Sequence, residues 1–143
     1  MNWDTYDRLL FALCLWREAA GEGEAGMRAA GHVILNRMKA WKQSLATVIT
    51  KPAQFSSMTI RGDLQTVRWP NRLDQAFPIA MALVDELLTS PGEDPTNGAT
   101  FYRNPKTATS EWYERNIARN PAYRVSAVID NHEFHALISP PIV

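Results

Sequence analysis

Two amphipathic runs with a glycine-rich break between them set the limits on what this chain can fold into. Leu9 to Trp16 is almost wholly apolar, Glu24 to Met38 repeats its apolar residues at helical spacing, and Gly21 and Gly23 stand between them. A helix capped by Asp4 is expected to run to about Ala20, with Tyr6, Leu9, Leu13 and Trp16 facing inward. Glycine adopts non-helical backbone at little steric cost, so the pair ends this helix and a second begins near Glu24. That second helix places Met27, Ala30, Ile34 and Met38 on one face.

The break also determines the setting of Glu18. Leu10, Cys14 and Glu18 fall at i, i+4 and i+8, so a carboxyl group continues a mostly apolar helical stripe. Desolvation disfavours its charged form, and so does the negative end of the helix dipole. Both effects predict a raised pKa. A carboxylic acid that keeps its proton near neutral pH is what a general acid in glycosidic bond cleavage requires.

Beyond the second helix, Leu45 to Thr50 reads as a short helix stopped by Pro52, and Ala53 to Arg72 as a long loop. Asp74 can cap a further helix in which Ala76, Ala80, Leu83 and Leu87 align, with Pro78 tolerated near its first turn. Ala99 to Tyr102 and Ala127 to Asp130 are expected strands, with a short helix around Glu111 to Ala118 between them. With 143 residues, 45% of them hydrophobic, the chain has material for one core, and a single domain over residues 1–143 is expected. A formal net charge of zero gives no reason to expect nucleic acid as a partner. The lone Cys14 has no internal disulfide partner and reads as a small buried hydrophobe. The Leu9–Trp16 run follows Asp4 and Asp7 and leads to no small-x-small cleavage site. Cytoplasmic synthesis without a signal peptide, no membrane partner and a monomer are therefore expected.

Several blocks recur in a telling order: Trp16-Arg17-Glu18-Ala19-Ala20-Gly21-Glu22-Gly23, Val33-Ile34-Leu35-Asn36-Arg37, Pro52-Ala53-Gln54-Phe55-Ser56, Asp94-Pro95-Thr96-Asn97-Gly98-Ala99-Thr100-Phe101-Tyr102 and Asn131-His132-Glu133-Phe134. Together, over about Leu9 to Phe134, they resemble the catalytic domain of the SleB/CwlJ-type cell wall hydrolases, known from spore cortex lysis and from phage lysins. The resemblance implies a mainly α fold with a small β element (α+β), lysozyme-like, with a groove for a peptidoglycan glycan strand. It implies that Glu18 is the catalytic acid, protonating the oxygen between N-acetylmuramic acid and N-acetylglucosamine. The reaction it implies is that of a lytic transglycosylase, in which Glu18 returns as base and a 1,6-anhydro sugar forms. A phage or prophage endolysin, acting at the bacterial wall after release, fits the missing export signal. A hydrolytic muramidase with the same acid is the alternative; Glu22, Glu24 and Asp63 are its candidate second carboxylates. The other role open to Glu22 is structural, capping the second helix or holding Arg37.

Gln54 and Ser56 border the active site in the family, and a neutral amide can hold an acetamido group or a sugar hydroxyl. Phe55 reads as core. The aromatic block assigns Tyr102 to the cleft, with Arg103 interrupting the family pattern. His132 matches the family's N-H-x-F block and is assigned beside the groove. His132, Glu133 and His135 also invite a zinc amidase or peptidase reading. Yet H-E-F-H lacks the spacing of H-E-x-x-H, so neither a metal nor any other cofactor is expected. A non-catalytic wall-binding module is disfavoured by the presence of Glu18 and the absence of repeats.

Overall fold

The first helix, α1 (Thr5–Ala19), starts at Asp4, whose carboxylate accepts from the Asp7 amide at 2.8 Å while the Asp7 carboxylate accepts from the Asp4 amide at 3.2 Å. This reciprocal capping box satisfies donors that the helix itself leaves unpaired. A 3-10 turn (Ala20–Glu22) follows, and at Gly23 the backbone takes φ 75°, the left-handed region that glycine occupies without strain. From there α2 (Gly23–Trp41) runs on, longer than the sequence suggests, to Lys42 in the left-handed conformation. Then come α3 (Leu45–Thr50), capped by the Ser44 hydroxyl, α4 (Ser56–Thr59), a 3-10 turn (Leu64–Val67) and α5 (Ala76–Thr89). Asp74 accepts from the Ala76 and Phe77 amides at 2.9 and 2.8 Å, the expected capping role. In this computed structural model the described residues are 3–52, 54–107 and 110–138. They form two units, Met1–Glu93 and Asp94–Val143.

The core of the first unit lies where α1, α2 and α5 pack together. Phe11, Cys14, Leu15, Met27, Val33, Ile34 and Val84 are fully buried, each large side chain contributing about 1.5–3 kcal/mol. The buried face of α1 differs from the expected one. Tyr6 and Leu9 are 62% and 47% exposed, Leu13 is half-buried, and only Trp16 of the four faces inward. The packed stripe runs instead through Phe11, Cys14 and Leu15, because α2 and α5 meet the helix on that side. Tyr6, Leu9 and Leu13 line a shallow apolar groove of about 340 Å³ with Trp69, Pro70 and Phe77. The long loop expected at 53–72 is also partly helical, through α4 and the 3-10 turn.

The second unit is built on a three-stranded antiparallel sheet, β1 (Phe101–Arg103), β2 (Tyr123–Ile129) and β3 (His132–Leu137), in the order β1-β3-β2. A short helix, α6 (Glu111–Tyr113), and a π-helical turn (Glu114–Ala118) join β1 to β2. The block from Asp94 to Gly98 is the turn that launches β1. The Asp94 carboxylate accepts from the Thr96 amide, the Thr96 hydroxyl and the Gly98 amide, at 2.8, 2.7 and 2.9 Å, with Gly98 at φ 88°. In return the Ser126 hydroxyl, at an irregularity in the register of β2, donates to the Thr96 carbonyl at 2.7 Å. The third strand was not expected from the sequence: in His132-Glu133-Phe134-His135 the polar residues mask the alternation. The observed class is the expected α+β.

Gly31 allows the three long helices their close approach. A Cβ built there would stand 2.4 Å from Leu87 Cδ1 and 3.6 Å from Leu15 Cδ1, both fully packed side chains of α5 and α1. Gly31→Ala should therefore lower stability by about 1–3 kcal/mol through overpacking, reduced by up to about 1 kcal/mol of gained helix propensity. Urea denaturation tests this through the midpoint; a midpoint equal to or above wild type would mean that the helices part without cost.

Candidate active site

Glu18 lies in the last turn of α1, three, four and seven residues after Leu15, Cys14 and Phe11, all of which are 0% exposed. Its carboxyl therefore continues the most deeply buried stripe of the helix and is itself half-buried. Its pKa is raised to about 7. Burial is the largest cause; the Ser57 hydroxyl pulls the value down by favouring the charged form, the negative charge of Asp63 pushes it up, and the Arg37 guanidinium lowers it. The rise and its first cause are those expected from the sequence. On the same stripe, burial pushes the Cys14 thiol well above its usual range, consistent with a packing role.

The residues around the acid come from three elements. Arg37 on α2 is 4% exposed, with its guanidinium 4.9 Å from the Phe55 ring and 5.2 Å from the Trp41 ring. Phe55, 2% exposed, is core as expected. Ser57 on α4 is 1% exposed; its hydroxyl meets no described group at full hydrogen-bond geometry and acts on the Glu18 carboxyl. Asp63 is half-buried and its carboxylate accepts from the Gln65 amide at 2.8 Å, capping the 3-10 turn. Of the residues expected from the sequence, Gln54 is half-buried in the turn before α4, its backbone N–H donating to the Lys51 carbonyl at 3.2 Å. Ser56 opens α4 and is exposed. The serine that acts on Glu18 is thus Ser57, one position on, a distinction invisible until the start of α4 is known. In the sequence Arg37 stood out only as the end of the Val33-to-Arg37 block and as a partner for Glu22. Glu22 occupies the N-cap of α2 without capping an amide by its side chain, and it lies over Gly26.

In the second unit Tyr102 stacks on Phe134 with ring centroids 5.5 Å apart, and its edge-to-face contact with His132 is 5.7 Å. Alternation sends Phe101 the other way, among Trp112, Tyr113 and Tyr123, as β1 predicts. Arg103 pairs with Glu133, its directly opposite residue on β3, at 3.3 Å, and with Glu114. His135 is buried, with Nδ1 2.9 Å from the Tyr113 hydroxyl, and burial lowers its pKa. His132 and His135, three apart on a strand, point to opposite faces, and Glu133 is engaged by Arg103. Among the described residues no group of three or more His, Cys, Asp or Glu side chains is placed to hold a metal ion. No helix among them is long and apolar enough to cross a membrane.

The chain is thus a mainly helical α+β protein with a protonatable, half-buried carboxyl at the end of its first helix. It belongs to the cell wall hydrolase family, whose model matches residues 21–135, a span running through both units and beginning three residues after Glu18. It is 35% identical over 108 residues to the spore cortex-lytic enzyme of Halalkalibacterium halodurans, covering 74% of this chain and 29% of the relative. The Bacillus subtilis spore cortex-lytic enzyme is also 35% identical, with 74% and 32% covered. The chain therefore spans about a third of the length of these curated relatives. Among solved structures, the catalytic domain of the germination-specific lytic transglycosylase SleB from Bacillus anthracis superposes with a TM-score of 0.70 at 28% identity, covering 93% of this chain and 96% of that one. The catalytic domain of Bacillus cereus SleB gives 0.64, also at 28% identity, with 93% and 91% covered.

A raised carboxyl pKa carries a stability cost with a definite sign. Between the ordinary value of 4.5 and about 7 the folded chain holds a proton on Glu18 that the unfolded chain has lost, so stability falls as pH rises through that window. The cost at pH 8 is about 3 kcal/mol at most. Glu18→Gln, which cannot ionise, should accordingly be more stable than wild type at pH 8, with the difference closing toward pH 4. Thermal melts at the two pH values measure it; equal melting temperatures at pH 8 would mean an ordinary pKa.

Proposed function

We propose that this chain cleaves the glycosidic bond between N-acetylmuramic acid and N-acetylglucosamine in the peptidoglycan of the bacterial cell wall, as a lytic transglycosylase. The observation that carries this reading is the Glu18 carboxyl, held protonated up to about pH 7 at the end of α1. The neutral acid donates its proton to the bridging oxygen as the bond from the muramoyl anomeric carbon breaks and the sugar gains oxocarbenium character. The carboxylate left behind then accepts the proton of the muramoyl 6-hydroxyl, whose oxygen attacks the anomeric carbon. A 1,6-anhydro sugar forms and Glu18 regains its proton. One carboxyl group serves both steps, and a pKa near the working pH suits a group that must give and take a proton in turn. Similarity to a solved SleB domain described as a lytic transglycosylase supports the same reading. Gln54 and Ser56 in the first unit, and Tyr102 and His132 in the second, are assigned to contacts with the glycan strand.

A muramidase is the second reading, favoured by one observation: the charge of Asp63 is felt at Glu18, so a second carboxylate is near the acid. Mass spectrometry of the soluble products from purified peptidoglycan separates the two. Anhydromuropeptides are expected from wild type, reduced by about 10²-fold or more in Glu18→Gln. Hydrated reducing-end muramic acid, lost in both Glu18→Gln and Asp63→Asn, would establish the muramidase instead. Cleaved peptide stems on intact glycan would overturn both.

A further inference from the structure

We propose that Arg17 is a positioning residue: its guanidinium holds the segment from Ser57 to Arg68 against the end of α1 and so fixes Ser57 and Asp63 relative to the Glu18 carboxyl. This rests on the reading of Glu18 as the acid. Arg17 is only 8% exposed, yet its contacts are those of a clamp. Nε donates to the Arg68 carbonyl at 3.0 Å, Nη1 to the Ser57 carbonyl at 3.2 Å and to Met58 Sδ at 3.5 Å, and Nη2 to the Thr66 carbonyl at 3.2 Å. The Trp69 ring covers the guanidinium at 4.6 Å. Apart from the Met58 thioether, its hydrogen bonds go to backbone carbonyls at both ends of one segment, and no carboxylate among the described residues pairs with it.

Packing alone does not call for an arginine here. Burying a guanidinium costs desolvation, which an apolar side chain of similar length would avoid. What the guanidinium adds is a rigid planar fork that addresses three carbonyls at once, as a lysine ammonium on its flexible stem does not. The clamped segment needs such a tether. It has only the four-residue α4 and one 3-10 turn of its own, and Ile60, Leu64 and Val67 within it are exposed. Both of its groups that act on Glu18 lie within the tethered span: Ser57 carries one of the accepting carbonyls, and Asp63 lies before the second, at Thr66. The remaining group acting on the acid is Arg37, on α2 and outside the segment.

The experiment is an NMR titration of the Glu18 carboxyl carbon in wild type, Arg17→Met and Arg17→Lys, with hydrogen exchange of the same proteins. Neither measurement needs substrate, so both decide the role of Arg17 even if peptidoglycan is not cleaved. Loss of the clamp admits water to Glu18 and displaces both Ser57 and Asp63. Burial is the largest cause of the raised value, so its loss outweighs that of the Ser57 hydroxyl. The midpoint should therefore fall by about one pH unit, with faster exchange confined to residues 57–68. Ser57→Ala should move it the other way, because the hydroxyl favours the charged acid. If the proposed reaction also holds, the alkaline limb of kcat should move down with the midpoint in Arg17→Lys, with KM changed less. Lysine keeps the charge and most of the stem, so Arg17→Lys decides the matter if Arg17→Met fails to fold. A Glu18 midpoint unchanged in Arg17→Lys, with a lower melting temperature as the only effect, would overturn the proposal and leave Arg17 a packing residue.

Discussion

Arg17 and Glu18 are consecutive residues in the last turn of α1, both largely withdrawn from water, and the two charges are accommodated in opposite ways. The guanidinium stays charged because backbone carbonyls replace its water, although burial lowers its pKa somewhat. Among the described residues the carboxyl has no such set of donors. Burial outweighs the Ser57 hydroxyl and the Arg37 charge, and the group holds its proton instead. The two environments depend on each other, since the segment that satisfies Arg17 also supplies the serine and the aspartate that act on Glu18. One turn of helix thus fixes both the course of residues 57–68 and the proton affinity of the acid.

Much of this was legible in the sequence, for a physical reason. Helix phase is a local property, so the placement of Glu18 behind Cys14 predicted a desolvated carboxyl before any tertiary contact was known. Asp4 and Asp74 acted as expected because capping is decided within a few residues. The less legible features all depend on partners distant in the chain. Tyr6 and Leu9 look like core residues and are exposed, because only the positions of α2 and α5 decide which side of α1 is covered. Ser56 and Ser57 are chemically identical, and the start of α4 alone decides that the second is buried. Arg17 looks like a solvated cation at a helix end, and its acceptors lie 40 to 51 residues away.

The second unit shows how a motif can owe its composition to structure. The Asp94–Gly98 block places carboxylate, hydroxyl and glycine so that one turn satisfies its own amides and delivers Phe101 and Tyr102 to opposite faces of β1. Arg103, which departs from the family pattern, pairs with Glu133 and Glu114. That pairing removes the glutamate on which a zinc reading of the His-Glu-Phe-His run depends. The histidines diverge for the simpler reason that residues three apart on a strand face opposite ways.

Asp63 bears on the choice between the two proposed chemistries. Its charge raises the pKa of Glu18 and so helps the acid to keep its proton; the same charge favours a nearby oxocarbenium ion whether or not it ever touches water or sugar. An aspartate in this position therefore suits both reactions. One of its oxygens is also committed to the Gln65 amide, which fixes its direction and favours an electrostatic role over nucleophilic attack. What separates a muramidase from a transglycosylase is then the access of water to the anomeric carbon rather than the count of carboxylates.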